Sequence, residues 1–120
     1  MPSYKFFKQI MDAKSALNAV SDELDPVDLA NIEELTYYIV FNGAVSAGAL
    51  QPETAHWSAV KKNPDGTGPY TGAWSPEGSP ITFAANSVKH TMISGITHWR
   101  RVRISTGIVD GTVDVYAMGR

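Results

Sequence analysis

The stretch that decides the fold is Trp99-Arg-Arg-Val-Arg-Ile-Ser-Thr-Gly-Ile-Val-Asp-Gly-Thr-Val-Asp-Val-Tyr-Ala-Met-Gly-Arg120. Apolar and polar residues alternate along it with the period of two that β-strands have. Asp110-Gly111 is a frequent two-residue hairpin turn, so the stretch predicts two antiparallel strands folded about it. A longer loop starting at Gly107 would shift this register. The predicted buried face consists of Val102, Ile104, Thr106, Ile108, Val113, Val115 and Ala117. The predicted outer face carries Arg101, Arg103, Ser105, Asp114, Tyr116 and Met118.

Composition limits the classes of protein that fit. A chain of 120 residues is long enough for one domain with a buried core. A formal net charge of −2 gives no overall attraction to nucleic acid or to an anionic membrane, so neither partner is expected. There is no cysteine, which removes disulfides and thiolate metal sites. The first residues lack the apolar core of a signal peptide, and no apolar run approaches the ~18 residues of a membrane span. The expected place of synthesis is a cytoplasm.

Residues 1–24 allow two interpretations. Apolar residues at three- and four-residue steps are typical of a helical face. These are Phe6, Ile10, Ala13, Leu17, Val20 and Leu24. Alternatively, Tyr4 to Ile10 is an extended arm whose aromatic side chains dock on another molecule. The chain is therefore divided into an N-terminal arm or helix over 1–24 and a β-domain over 25–120. Deletion of residues 1–12 is expected to leave the fold intact.

The centre of the chain predicts short strands between turns. Leu35 to Phe41 is rich in aromatic and β-branched residues and is expected to end at Asn42-Gly43. A small-residue turn would then lead into a return strand from Ala49 to Thr54. Asp25 followed by Pro26 predicts a single helical turn before these strands.

Further short strands are predicted at Ile81–Phe83 and Val88–Ile93. Between the two groups, Lys61 to Pro80 is rich in turn residues, and Trp57 and Trp74 are expected to anchor this loop. In total the sequence predicts six to eight short strands, which indicate an all-β fold of the β-sandwich or jelly-roll type.

The sequence shows no constellation typical of catalysis. The chain lacks a nucleophile elbow, a phosphate loop and a dinucleotide fingerprint. Its three histidines, His56, His90 and His98, do not show the spacing of zinc ligands. Asn63 and Asp65 are far fewer than the ~6–8 oxygen ligands that Ca²⁺ takes. We therefore expect a protein that is not an enzyme and that uses no metal and no cofactor.

One basic cluster stands out, at Arg100, Arg101 and Arg103. It could contact an anion, a phosphate or an acidic partner. The favoured interpretation is structural or at a subunit contact, with Arg103 stacked diagonally on Tyr116 across the predicted hairpin. An Arg103→Glu change is then expected to weaken a contact while hardly altering the melting point of the monomer.

Four motifs carry a resemblance to a known group of proteins. They are Tyr70-Thr-Gly-Ala-Trp74, Gly95 with an aromatic nearby, Arg101-x-Arg103-Ile, and Gly111-Thr-Val-Asp-Val-Tyr116. Over roughly residues 30–120 the chain resembles small virion proteins of tailed bacteriophages. It looks most like jelly-roll capsid decoration (cement) proteins. The resemblance implies a β-sandwich, no cofactor and an N-terminal arm used in subunit contact.

The resemblance also implies a function. A decoration protein of this kind bridges capsid subunits and stabilises the head, so its partners would be the major capsid protein and other copies of itself. It would be found in the virion after assembly in the bacterial cytoplasm. The residues expected at these contacts are Tyr4, Phe6, Phe7, Arg101, Arg103 and Tyr116.

A second function belongs to a different class. The chain could be a receptor- or carbohydrate-binding domain of a phage tail appendage, with Trp57, Tyr70 and Trp74 as an aromatic platform. The direction of these rings discriminates the two. Buried rings favour a scaffold, and exposed coplanar rings favour stacking on a sugar.

Overall fold

The protein is nearly all-β, as predicted. The computed structural model describes residues 5–29, 32–56, 73–84, 88–93 and 98–120, without the side chains of Phe6, Val27, Asp28 and residues 88–93. The elements in this part are β1 (Phe6–Lys14), α1 (Pro26–Leu29), β2 (Glu34–Ala55), β3 (Ser75–Pro76), β4 (Ile81–Thr82), β5 (Val88–Ile93) and β6 (Trp99–Gly119). One antiparallel sheet contains the strands in the order β1-β6-β2-β3, and β4 and β5 also pair with β2.

Two long strands form the centre of the sheet. β2 has 22 residues and β6 has 21, and they pair from Leu35 opposite Gly119 to Ala55 opposite Trp99. The predicted hairpin about Asp110-Gly111 is therefore wrong, because the residues on both sides of it pair with β2. The predicted turn at 44–48 is wrong for the same reason, since the two strands expected on either side of it are the two ends of β2.

The residues that favour turns bend these strands instead of reversing them. Gly43 pairs with Gly111, so the Asn42-Gly43 and Asp110-Gly111 dipeptides lie opposite each other. Residues 44–46 of β2 then face Asp110 alone, which is a β-bulge. Gly43 has φ of 90° and Asp110 has φ of 62°, in the left-handed region that these residue types tolerate. Bulges bend a strand and increase its twist, so the two strands change direction together here.

The bend divides the sheet into two halves. The β1 half contains β1, β5, residues 34–43 of β2 and residues 111–119 of β6. The β3 half contains β3, β4, residues 49–55 of β2 and residues 99–106 of β6, with bridges from Val20 and Leu24. Buried side chains from both halves belong to one core cluster. The Asp22 amide also donates to the Ile10 carbonyl at 2.7 Å, which ties the two halves together.

The buried face of β6 changes parity at the bend. Even-numbered Val102 and Ile104 are buried on one side of it, and odd-numbered Val113 and Val115 on the other. The predicted buried set is confirmed for every member except Thr106, which is exposed. Ala49 pairs with Thr106 and Leu50 pairs with Ile104, so β6 contains one more residue than β2 at this point. This extra residue interrupts the alternation, and Thr106 faces outward.

The N-terminal segment is an integral strand. β1 pairs with β6 from Phe6 opposite Gly119, so the helical interpretation of this segment is wrong. A register shift between Gln9 and Met11 allows both Ile10 and Met11 to enter the core, which no regular strand would permit. Deletion of residues 1–12 should therefore remove core side chains rather than a free arm.

The shorter predictions are confirmed where the chain is described. The helical turn begins at Pro26, and the Leu29 amide donates to the Asp25 carbonyl at 3.2 Å. β4 and β5 are the two short strands expected from the sequence. None of the described helices is long and apolar enough to cross a membrane. Most of the predicted loop, including Tyr70, lies outside the described residues, and so does its expected anchor Trp57.

Candidate contact surface

A carboxylate joins two of the three arginines on the outer face of the β3 half. Glu53 and Arg101 are directly opposite each other in the ladder between β2 and β6. The Arg101 Nε donates to Glu53 Oε1 at 2.8 Å, and the Arg103 Nε donates to Oε2 at 3.2 Å. The Arg101 guanidinium carbon also lies 4.3 Å from the ring centroid of Trp74, a cation–π distance. Arg101 is only 8% exposed as a result, so it does not offer its charge to a partner.

Arg103 is held within the molecule as well. Its Nη1 donates to Asn18 Oδ1 at 2.9 Å, in addition to the bond with Glu53. The predicted stacking of Arg103 on Tyr116 is wrong, because both lie on one strand and on opposite sides of the bend. An Arg103→Glu change would place a second carboxylate beside Glu53. From the structure we therefore expect a lower melting point for Arg103→Glu, contrary to the expectation from the sequence.

Aromatic side chains form a strip on the outer face of the β1 half. Phe7 and Tyr116 stack with ring centroids 5.7 Å apart and planes 23° from parallel. Tyr38 is the next member, since it is directly opposite Tyr116 in the ladder. We call Phe7, Tyr116 and Tyr38 the aromatic strip. Phe7 is 61% exposed and lies on β1, at one end of the strand order. Among the predicted contact residues, Tyr4 and the side chain of Phe6 lie outside the described part of the chain.

The third arginine points into the protein. Arg100 shares the inner face of β6 with Val102 and is 4% exposed. Its Nε and Nη2 each bind one oxygen of Glu77 at 3.0 Å, a bidentate pair. All three arginines thus have carboxylate partners, and the interpretation as a phosphate- or anion-binding cluster gains no support.

A buried tyrosine is influenced electrostatically by Arg100 and Glu77. Tyr37 is fully buried, and its hydroxyl has no hydrogen-bond partner among the residues that the structure describes. Burial raises the pKa of Tyr37, the negative charge of Glu77 raises it further, and Arg100 opposes them. The phenol is therefore neutral wherever the protein is folded at ordinary pH.

Two histidines meet where β2 ends and β6 begins. His56 and His98 follow and precede the paired residues Ala55 and Trp99, and their ring centroids are 5.1 Å apart with planes at 46°. Burial, then His56 and Arg100, lower the pKa of His98, while Glu77 raises it. The sequence carries no signal for this pair, because only the long pairing of β2 with β6 brings the two residues together. The part of the chain described here holds no group of three or more His, Cys, Asp or Glu side chains placed to share a metal ion.

Known proteins give no indication of the function of this chain. No protein-family model, no curated protein and no solved structure matches the chain. The function is therefore inferred from the residues themselves and from the surfaces that the fold exposes.

Proposed function

We propose that this protein is a capsid decoration protein of a tailed bacteriophage, which stabilises the head by bridging capsid subunits. Its partners are the major capsid protein and other copies of itself, and it resides in the virion after assembly in the bacterial cytoplasm. In this proposal the bent sheet is a β-sandwich of the jelly-roll type. The class of partner comes from the likeness of the Tyr70 to Tyr116 motifs to phage virion proteins.

The observation that carries the proposal is the aromatic strip. Phe7 exposes 61% of its surface beside Tyr116 at an edge of the sheet. Full burial of a Phe side chain contributes about 1.5–3 kcal/mol, so covering the exposed part of Phe7 would contribute about 1–2 kcal/mol to binding. Exposed aromatic side chains are enriched in protein interfaces for this reason.

The edge position of β1 adds a second means of contact. Edge strands present backbone N–H and C=O groups that can pair with a strand of another chain. A partner strand beside β1 would also approach Phe7, which is on the same strand. The proposal therefore keeps Tyr4, Phe6, Phe7 and Tyr116 as contact candidates and no longer includes the two arginines. Arg101 and Arg103 bind Glu53 in the β3 half of the sheet, away from this surface.

The carbohydrate-binding alternative has less support. A ring that binds sugar must present an open face, whereas the ring of Trp74 has the Arg101 guanidinium 4.3 Å from its centroid. Trp74 is also half-buried. The other two members of that predicted platform, Trp57 and Tyr70, lie outside the described residues.

A pair of matched variants tests the proposal. Phe7→Ser and Leu17→Ser each remove one large exposed apolar side chain, since Leu17 is 58% exposed but lies away from the aromatic strip. Purified variants would be added to heads produced from a genome from which this gene is deleted, and bound protein would be measured by co-sedimentation. We expect Phe7→Ser to bind about 5- to 30-fold more weakly, from a loss of about 1–2 kcal/mol, and Leu17→Ser to bind as the parent does.

Electron cryo-microscopy of the complete particle locates the protein directly. The proposal requires density on the outer surface of the head, in contact with the major capsid protein. Density confined to the tail would overturn it, and so would equal binding by Phe7→Ser and Leu17→Ser. Glycan binding that disappears in Trp74→Ala would move the protein to the receptor-binding class. Equal melting temperatures for the two serine variants show that only the contact has changed.

A further inference from the structure

We propose that His56 and His98 form a binding site for a divalent transition-metal ion of the Zn²⁺, Ni²⁺ or Cu²⁺ type. The site is separate from the aromatic strip and does not depend on the proposed function. It lies where the ladder between β2 and β6 ends, in the β3 half of the sheet.

The spacing of the two rings fits a shared ion. Ala55 and Trp99 form the last pair of the ladder, so His56 and His98 are the next residues opposite each other. Directly opposed residues in an antiparallel pair have Cβ atoms about 4.5–5.5 Å apart. Two imidazoles that bind one ion through nitrogens at about 2.0–2.1 Å, in tetrahedral geometry, have ring centroids about 5 Å apart. The observed separation is 5.1 Å, and the planes are inclined by 46° rather than stacked in parallel.

The chemistry of the donors selects the class of metal. Imidazole nitrogen suits Zn²⁺, Cu²⁺ and Ni²⁺, whereas Mg²⁺ and Ca²⁺ prefer oxygen ligands. His56 is exposed, so an ion can reach the pair from solvent. Among the residues that the structure describes, no third His, Cys, Asp or Glu is placed to share the ion, so the described part of the site supplies two ligands.

The nearby charges do not oppose a cation strongly. Arg100 follows His98 by two positions, but its guanidinium is bound by both oxygens of Glu77. The pair is close to neutral as a unit, so its field at the histidines is small compared with that of a lone arginine. The ladder of β2 and β6 fixes the adjoining residues Ala55 and Trp99, which limits the entropy lost when the two imidazoles bind one ion.

The test uses the full chain without a polyhistidine tag, stripped with a chelator and titrated with NiCl₂ and ZnCl₂. We expect one ion per chain by isothermal titration calorimetry. At a metal concentration a hundredfold above Kd, the melting temperature should rise by about 10 °C, and excess chelator should reverse the rise. His56→Asn and His98→Asn should each weaken binding at least tenfold. His90→Asn is the matched control, because it removes the remaining histidine and should bind as the parent does.

Each outcome decides for or against the site. Binding unchanged in His56→Asn, binding lost in His90→Asn, or no binding by the parent would each overturn the proposal. His56 is exposed, so His56→Asn should fold normally and keeps the test decisive even if the half-buried His98 tolerates no substitution.

Discussion

Glu53 is the residue whose loss should reveal how the outer face of the β3 half is held together. It accepts hydrogen bonds from both Arg101 and Arg103, and the Glu53 and Arg101 side chains are 8% and 10% exposed. Glu53→Gln keeps the volume of the side chain and one acceptor oxygen but removes the negative charge. Two guanidinium groups would then lie side by side without their counter-charge, one of them buried.

The expected cost follows from the burial. Removing one partner of a buried ion pair costs about 3–5 kcal/mol, and we expect the lower part of that range because the glutamine oxygen still accepts one bond. The matched control is Glu34→Gln. Glu34 pairs with Arg120 at 3.0 Å, but these side chains are 34% and 46% exposed, so water screens the charges and the cost should be about 0–1 kcal/mol.

Urea denaturation of the parent and both variants measures the free energies of unfolding, and thermal denaturation measures the melting temperatures. We expect Glu53→Gln to lower the free energy of unfolding by about 3 kcal/mol and the melting temperature by about 12 °C. Glu34→Gln should lower the melting temperature by less than about 4 °C. If the two variants lost similar stability, below about 1 kcal/mol, the reasoning from burial would be refuted and the network around Glu53 would contribute little to the fold.

Two further predictions concern the bend and the buried phenol. A Cβ on Gly111 would collide with the backbone oxygen of Asn42, so Gly111→Ala should lower the free energy of unfolding by at least about 2 kcal/mol. A Cβ on Gly107 meets only ordinary contacts, so Gly107→Ala should lower it clearly less. Equal losses in the two variants would contradict the packing at the bend. Tyr37→Phe removes a buried hydroxyl without a described partner, so stability at pH 7 should stay constant or rise, and a loss above about 1 kcal/mol would point to a partner for that hydroxyl. The pKa of Tyr37 is raised in the folded state, so above pH ~10 the unfolded chain loses the phenol proton before the folded protein does. The free energy of unfolding therefore falls as the pH rises, and Tyr37→Phe should make that fall less steep.

Alternation along the last stretch predicted most of the buried apolar residues of β6, and Thr106 is the exception. Val102 and Ile104 before the bend, and Val113 and Val115 after it, were identified from period-two patterning alone. The pairing could not be identified in the same way. A change of parity at Asp110-Gly111 is what a hairpin requires, and it is also what a bulge produces. The sequence pattern is the same in both cases, so only the partner strand distinguishes them.

The candidate surface was predictable only in part. Phe7 and Tyr116 were expected at contacts, and the structure places them together on the outer face. The different roles of the three arginines could not be predicted from the sequence, because those roles depend on Glu53 and Glu77, which lie far away along the chain. The pairing of His56 with His98 had no signal in the sequence for the same reason. Long-range antiparallel pairing decides each of these neighbours, and local patterns do not encode it.

The order of the strands in the sheet constrains how the chain can be synthesised and folded. β6 lies between β1 and β2, yet it follows both of them in the sequence. During translation, β1 and the edge of β2 that pairs with β6 therefore stay unpaired until the ribosome has made the central strand. Folds dominated by such distant pairings form in milliseconds to seconds, far slower than helical bundles. Over this interval the unpaired edge of β2 is available to neighbouring nascent chains, so the yield of folded protein should rise when fewer chains are made at once or when a chaperone that binds extended apolar segments is abundant.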